Sequence, residues 1–167
     1  MSLVQDIAIL KQVPMLSDFD DDQLRLLAFS AESADYRDGQ KLFDDNDRAD
    51  GGMVIASGTA SLQKRASDGF EEIDRVDAGA LLGESAMLVE ARRPCRAVAV
   101  GDVRIIRIRR ALFKRMIQEY PEVARRLFEQ HAARYQKTVA AIRPIGTRMT
   151  DLDQLAAARG KDNAPGG

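Results

Sequence analysis

Two residue types capable of holding a ribose phosphate, a carboxylate and an arginine, lie nine positions apart at Glu84 and Arg93, in the stretch Gly83 to Val98, which reads GESAMLVEARRPCRAV. Gly83 is followed at once by the carboxylate of Glu84, and Arg92-Arg93 closes the stretch ahead of a short apolar run. A carboxylate accepts hydrogen bonds from a sugar diol, and a guanidinium grips a phosphate with a charge-assisted fork. Between them Ala86, Met87, Leu88 and Val89 are apolar, which predicts one helical turn pinned on a core. The start of such a turn aims backbone N–H groups at an anion. The same two side chains also admit a simpler arrangement, in which Glu84 and Arg93 pair with each other and hold an empty pocket shut.

Other reactive residue types do not assemble as well. Ser85, in Gly-Glu-Ser-Ala-Met, lacks the second glycine of a nucleophile elbow. The single histidine, His131, falls on a helical seam and reads as an interface or core residue rather than a base. No catalytic residue is predicted, and the chain is not expected to be an enzyme. Asp44 to Gly51 resembles a calcium loop, but Arg48 stands where Asp or Asn is needed and no glutamate closes it, so it reads as a solvated loop. Cys95 is the only cysteine, too isolated to ligate a metal; no metal or cofactor is expected. Arg104, Arg107, Arg109 and Arg110 read as a solvated basic edge that discourages strand pairing.

A single domain with a sizeable core fits in 167 residues. Hydrophobic residues make up 45% and charged residues 31%, with a net charge of −1, so no global field recruits nucleic acid or acidic lipid. One cysteine excludes a disulfide framework within the chain. No apolar run approaches the roughly 20 residues that cross a bilayer. The first residues lack the basic start of a secretory signal. The expected location is the cytoplasm.

The elements that must position Glu84 and Arg93 follow from punctuation. Leu3, Val4, Ile7, Ile9 and Leu10 have helical spacing up to Pro14, and Asp20 to Asp22 precede a second helical run containing Leu24, Leu26, Leu27 and Phe29. From Ala34 to Arg110 glycines separate short segments at strand-like intervals: Gln40-Phe43, Met53-Ala56, Thr59-Lys64, Phe70-Val76, Ala97-Val100 and Ile105-Ile108. Ser57-Gly58 and Asp68-Gly69 read as hairpin tips. From Ala111 the pattern turns helical, with Leu112, Met116 and Ile117 on one face. A longer helix is predicted from Glu122 to about Arg143, with Phe128, Tyr135 and Ile142 seven apart. That seam packs either on its own domain or against a second copy. The end, GKDNAPGG, reads as a tail without a packed core.

The whole is predicted to be α+β, mainly β: a β-roll or jelly roll of about eight antiparallel strands, with N-terminal helices and a long C-terminal helix. The divisions are an N-terminal helical segment at 1–33, the roll at 34–110 with the ligand stretch at 82–98, C-terminal helices at 111–143, and a weakly structured tail at 144–167.

This layout resembles the cyclic nucleotide-binding domain of catabolite activator and Fnr-type regulators, ion channels and cyclic-nucleotide-dependent kinases. The resemblance covers about Leu10 to Ile142. It is carried by Val13-Pro14-Met15-Leu16, by Tyr36 to Phe43, by Val54 to Gly58, by Val76 to Gly79, and by the phosphate-binding cassette Gly83-Glu84-Ser85-Ala86-Met87-Leu88 with Arg93. The resemblance implies a ligand, cAMP first and cGMP second. It implies that Gly83, Glu84, Ser85, Arg93 and Cys95 form the site, with Glu84 on the ribose 2′-hydroxyl and Arg93 on the cyclic phosphate. Thr138 falls where such regulators offer a hydroxyl to the purine, and the long helix matches the one through which they form homodimers. The sequence departs from the pattern at Pro94, where Ser, Thr or Ala usually offers the phosphate an N–H; proline has none. One lost hydrogen bond to a charged group lowers affinity by about tenfold to a hundredfold. The N–H of Cys95 is a partial substitute. After the long helix only Arg143 to Gly167 remains, so DNA binding by this chain alone is not expected, and its output would pass to an unidentified downstream protein. The alternatives are a dimeric interaction module with a degenerate, empty pocket, and a regulator of the same type without its own DNA-binding domain.

Overall fold

The protein is described from a computed structural model, and the residues described are 2–129. The chain divides into two compact units, Met1–Ala124 and Arg125–Gly167; of the second, residues 125–129 are described, and they are helical.

Three helices frame the first unit: α1 (Leu3–Lys11), α2 (Asp21–Ser30) and α3 (Arg110–Glu119). Ser2 and Gln5 form a reciprocal cap on α1, and Asp20 and Gln23 do the same for α2. Each box satisfies two backbone donors that a helix start leaves open. Pro14 stops α1 from continuing and opens a 3-10 turn, Pro14–Leu16. On α3 the buried residues are Phe113 and Met116, with Leu112 and Ile117 only half-buried, so the apolar face is rotated from the predicted one toward Phe113. The Phe113 ring meets Phe19 at 6.2 Å.

Eight strands make the roll: β1 (Glu32–Tyr36), β2 (Lys41–Phe43), β3 (Arg48–Ala49), β4 (Gly51–Ala66), β5 (Gly69–Asp77), β6 (Leu81–Leu82), β7 (Ala91–Arg92) and β8 (Arg96–Arg109). The main sheet runs β1-β8-β4-β5, with β2 also on β8 and β6 also on β4, and β3 pairs with β7 separately. All pairings are antiparallel. The mainly β architecture with flanking helices agrees with the expected jelly roll. The predicted helix beyond Glu129, its seam residues His131, Tyr135 and Ile142, and Thr138 lie outside the described residues.

Four expectations need correction. The segments read as separate strands around Gly58 and Gly101 are continuous: β4 spans 16 residues and β8 spans 14. Ser57-Gly58 is not a hairpin tip but an irregularity inside β4. Ser57 pairs with Arg104 and Thr59 with Val100, so β8 carries two extra residues there, and Gly58 and Gly101 take positive φ to absorb them. The hairpin at Asp68-Gly69 does form, closing on the Ala66–Gly69 pair. The arginine run is not an edge, because β8 is paired on both sides. The ends of the strand order are β1 and β5, and β5 shields itself with Glu71, Glu72, Asp74 and Arg75. Nor is Asp44 to Gly51 merely a solvated loop: Arg48–Ala49 forms β3, and Asp44 is tied to Arg96 at 2.8 Å and to Lys41 at 3.0 Å.

The roll interior is filled by Leu42, Phe43, Met53, Ile55, Leu82, Cys95, Ala97, Val103 and Ile105, among others. Residues of alternate parity on β4 and β8, such as Val54, Ile106 and Ile108, are equally buried on the opposite face. There α1 and α3 pack on β4, and α3 also packs on β8. Both long strands therefore read as near-continuous apolar runs rather than as clean alternation.

Candidate functional site

The stretch Gly83 to Arg93 folds as a 3-10 turn, Ser85–Met87, followed by the short strand β7. Ala86 and Met87 are buried, as their apolar character requires. Full burial of a methionine stabilises by about 1.5–3 kcal/mol, enough to hold a turn this short on the roll. Its seat is Gly52: a Cβ there would come within 2.8 Å of Met87 Sδ. Arg110, half-buried, closes the far end. Its Nη1 donates to the carbonyls of Val89 at 3.0 Å and of Ala86 and Ala49 at 3.3 Å.

Gly83 has φ +83°, and a Cβ at this position would fall onto Arg93 Nη1 and within 3.2 Å of the Gly51 carbonyl oxygen. The spacing of ten thus has a physical meaning: the chain returns so that the guanidinium lies against the bare Cα of Gly83. Glu84 is half-buried and caps the 3-10 turn, its carbonyl accepting from Met87 N–H at 3.2 Å. Ser85 is exposed.

Arg93 is 4% exposed. Its Nη2 donates to the Gly51 carbonyl at 3.0 Å, and its Cζ lies 4.5 Å from the centroid of the Phe43 ring. Its backbone is anchored on both sides, donating to Asp47 O at 2.8 Å and accepting from Asn46 N–H at 2.9 Å. Nη1 is buried and has no hydrogen-bond partner among the described residues. Burial lowers the pKa of this guanidinium, while Asp50 and Asp47 act in the opposite direction from beyond ion-pair distance. It stays cationic regardless, since arginine is not deprotonated in proteins. Arg93 is therefore held by the Gly51 carbonyl and the Phe43 ring.

Pro94 is exposed, and Cys95 returns to the interior, 7% exposed among Phe43, Met53 and Leu82. Burial raises its thiol pKa, which keeps it neutral. The structure brings together Gly83, Arg93 and, through Phe43, Cys95. Glu84 and Ser85 lie next to them in the chain. Sequence reasoning did not identify Phe43 as the floor under Arg93, Gly51 as its acceptor, or Arg110 as the brace of the cassette turn. Only the Gly51-Gly52 pair carried a signal, since two adjacent glycines mark close backbone approach. Among the described residues no helix is long and apolar enough to cross a membrane, and no group of three or more His, Cys, Asp or Glu is placed to hold a metal.

The fold is a β-roll with flanking helices in which a buried arginine is seated against a glycine behind a single helical turn. Residues 34–120, more than half of the chain, match the family model described as cyclic nucleotide-binding domain, and the chain belongs to that family. It is similar to a cyclic nucleotide-binding-like protein of Brucella abortus, with 39% identity and a TM-score of 0.64 over 68% of this chain and 97% of that one. The N-terminal domain of a transcriptional regulator from Streptomyces coelicolor is 25% identical, with a TM-score of 0.72 over 78% of this chain and 94% of that one. A cAMP-dependent protein kinase regulatory subunit of Mucor circinelloides is 25% identical over 124 residues, 74% of this chain but only 29% of the relative.

Proposed function

We propose that this domain binds a cyclic nucleotide, cAMP in preference to cGMP, as a non-catalytic sensor. Arg93 takes the cyclic phosphate on its unused Nη1, Glu84 accepts the ribose 2′-hydroxyl, and Gly83 and Ser85 border the ligand. Cys95 supplies a backbone N–H beside the phosphate, and Thr138 contacts the base. In this reading the roll at 34–110 binds, the helices at 111–143 transmit occupancy within a homodimer, and a partner protein receives the signal. A ligand moves a helix only if it contacts one helix position better than another.

The observation that carries the reading is Arg93: a cation buried to 4% exposure with one terminal nitrogen lacking a partner. Leaving such a charge uncompensated is costly, and an anion in front of Nη1 recovers that cost. Calorimetric titration tests it. Binding of cAMP that Arg93→Ala abolishes is expected; no heat and no thermal shift at millimolar cAMP or cGMP refutes it. Pro94 favours a second reading, an interaction module whose pocket stays empty, and that reading predicts the refuting result.

A further inference from the structure

We infer that Arg107 is a second anion-binding residue of this site, supplying the phosphate donor that Pro94 cannot. The inference rests on the ligand reading above for its nucleotide, and on the structure alone for its anion. Leu82, Met53, Arg107 and Glu32 form one row across the sheet, as successive cross-strand partners on β6, β4, β8 and β1. Directly paired residues share a sheet face. Met53 and Leu82 both belong to the interior cluster, so Arg107 leaves the sheet on the interior side. Two residues along β4 from Met53 is Gly51, whose carbonyl holds Arg93 Nη2. That places the roots of the row within about 7 Å of the acceptor of Arg93.

Arg107 Nε is buried and, like Arg93 Nη1, has no hydrogen-bond partner among the described residues. The nearest acid in its row, Glu32, pairs with Arg109 at 2.8 Å. The charge of Arg107 works against the ionised form of Arg93, as expected of two cations in one poorly solvated corner. Two guanidinium groups with unused N–H donors on the same interior side are mutually destabilising when nothing lies between them. They become a clamp when an anion does. Pro94, lacking an N–H, leaves the phosphate one donor short, and Arg107 is the donor at hand.

The test is calorimetric titration of cAMP into the parent, Arg107→Gln and Arg109→Gln. Arg107→Gln is expected to bind about tenfold or more weakly. Its melting temperature without ligand stays the same or rises, because one of two opposed cations is gone. Arg109, exposed and paired with Glu32, is the control, and Arg109→Gln stays within about twofold of the parent. Parent-like binding by Arg107→Gln overturns the inference, and so does an equal loss in Arg109→Gln, which would mean steering by net charge only. Should Arg107→Gln not fold, Arg107→Met is read in the same way. If the parent takes no cyclic nucleotide, the proposed function falls separately, and inorganic phosphate decides the present inference. A phosphate-dependent rise in melting temperature that Arg107→Gln abolishes supports it; no rise, or the same rise in both proteins, overturns it.

Discussion

Gly83→Ala separates the contact that defines the site from the backbone strain that any glycine of this kind hides. Gly83 and Gly39 have nearly the same dihedral, φ +83° and +81°. A Cβ on Gly39 meets nothing within 4 Å, whereas on Gly83 it lands on Arg93 Nη1. Alanine in the left-handed region costs about 1–2 kcal/mol, and Gly39→Ala should lose that much and no more. Gly83→Ala must lose the same amount and also displace the guanidinium from Gly51. One hydrogen bond to a charged group is worth about 1.5–3 kcal/mol, so the total is about 2.5–5 kcal/mol. Urea denaturation of the two variants measures the difference directly, and thermal melting should fall by about 2–4 °C for each kcal/mol in a chain of this size. Gly83→Ala should also lose nucleotide affinity while Gly39→Ala keeps it. Equal destabilisation of the two variants, with equal binding, would show that Gly83 is merely a turn glycine and that Arg93 does not need its bare Cα.

Arg110→Ala removes three carbonyl contacts that brace the cassette turn, and should destabilise by about 1.5–3 kcal/mol in urea titration, with faster amide exchange at Val89 than elsewhere in the roll. Asp44 carries a pKa lowered first by its hydrogen bond to Arg96 and then by Lys41. Its folded pKa thus lies below its unfolded value of about 3.9, so the contribution is present above that pH and is lost as pH falls through and below it. Melting temperatures between pH 7 and pH 3 should therefore fall less steeply in Asp44→Asn than in the parent. Pro94→Ala restores a backbone N–H and should strengthen cAMP binding by about tenfold, while losing about 0.4–1 kcal/mol of stability from a looser unfolded chain. Opposite signs in calorimetry and in denaturation are the expected signature.

The cassette was legible because its logic is local: an apolar turn, a glycine, and an arginine at a fixed offset. The start of α2 was legible for the same reason, since acids ahead of an apolar run satisfy backbone donors in place. Gly58 was misread as a hairpin tip, and Gly101 as a break between segments, because positive φ inside a bulged strand and positive φ at a turn demand the same residue. Distinguishing them requires the partner strand, which lies 47 residues away for Ser57 and Arg104. The arginines of β8 were misread as an edge because strand order is a tertiary property: β1, from the other end of the roll, covers that side. The floor of the site was equally hidden. Nothing near Phe43 announces that Arg93 will lie on its ring, and nothing near Gly51 announces that its carbonyl will be the acceptor.

In the proposed function, Arg93 joins stability to recognition. Burying a guanidinium without a counter-ion costs several kcal/mol even after relaxation. The Gly51 hydrogen bond and the desolvated Phe43 contact, worth about 1.5–3 and about 2 kcal/mol, offset part of that cost. The balance is what an anion can recover, and it is available only to a ligand that reaches Nη1. A fold with no ligand to bind has a simpler solution at this position, a methionine of similar length that packs on Phe43 without desolvating any charge. Cyclic nucleotide binding should accordingly raise the stability of the unit that contains both the roll and α1 to α3, by about 2.7 kcal/mol at a hundredfold excess over Kd. The same arginine that weakens the empty fold is then the reason the occupied one is tighter.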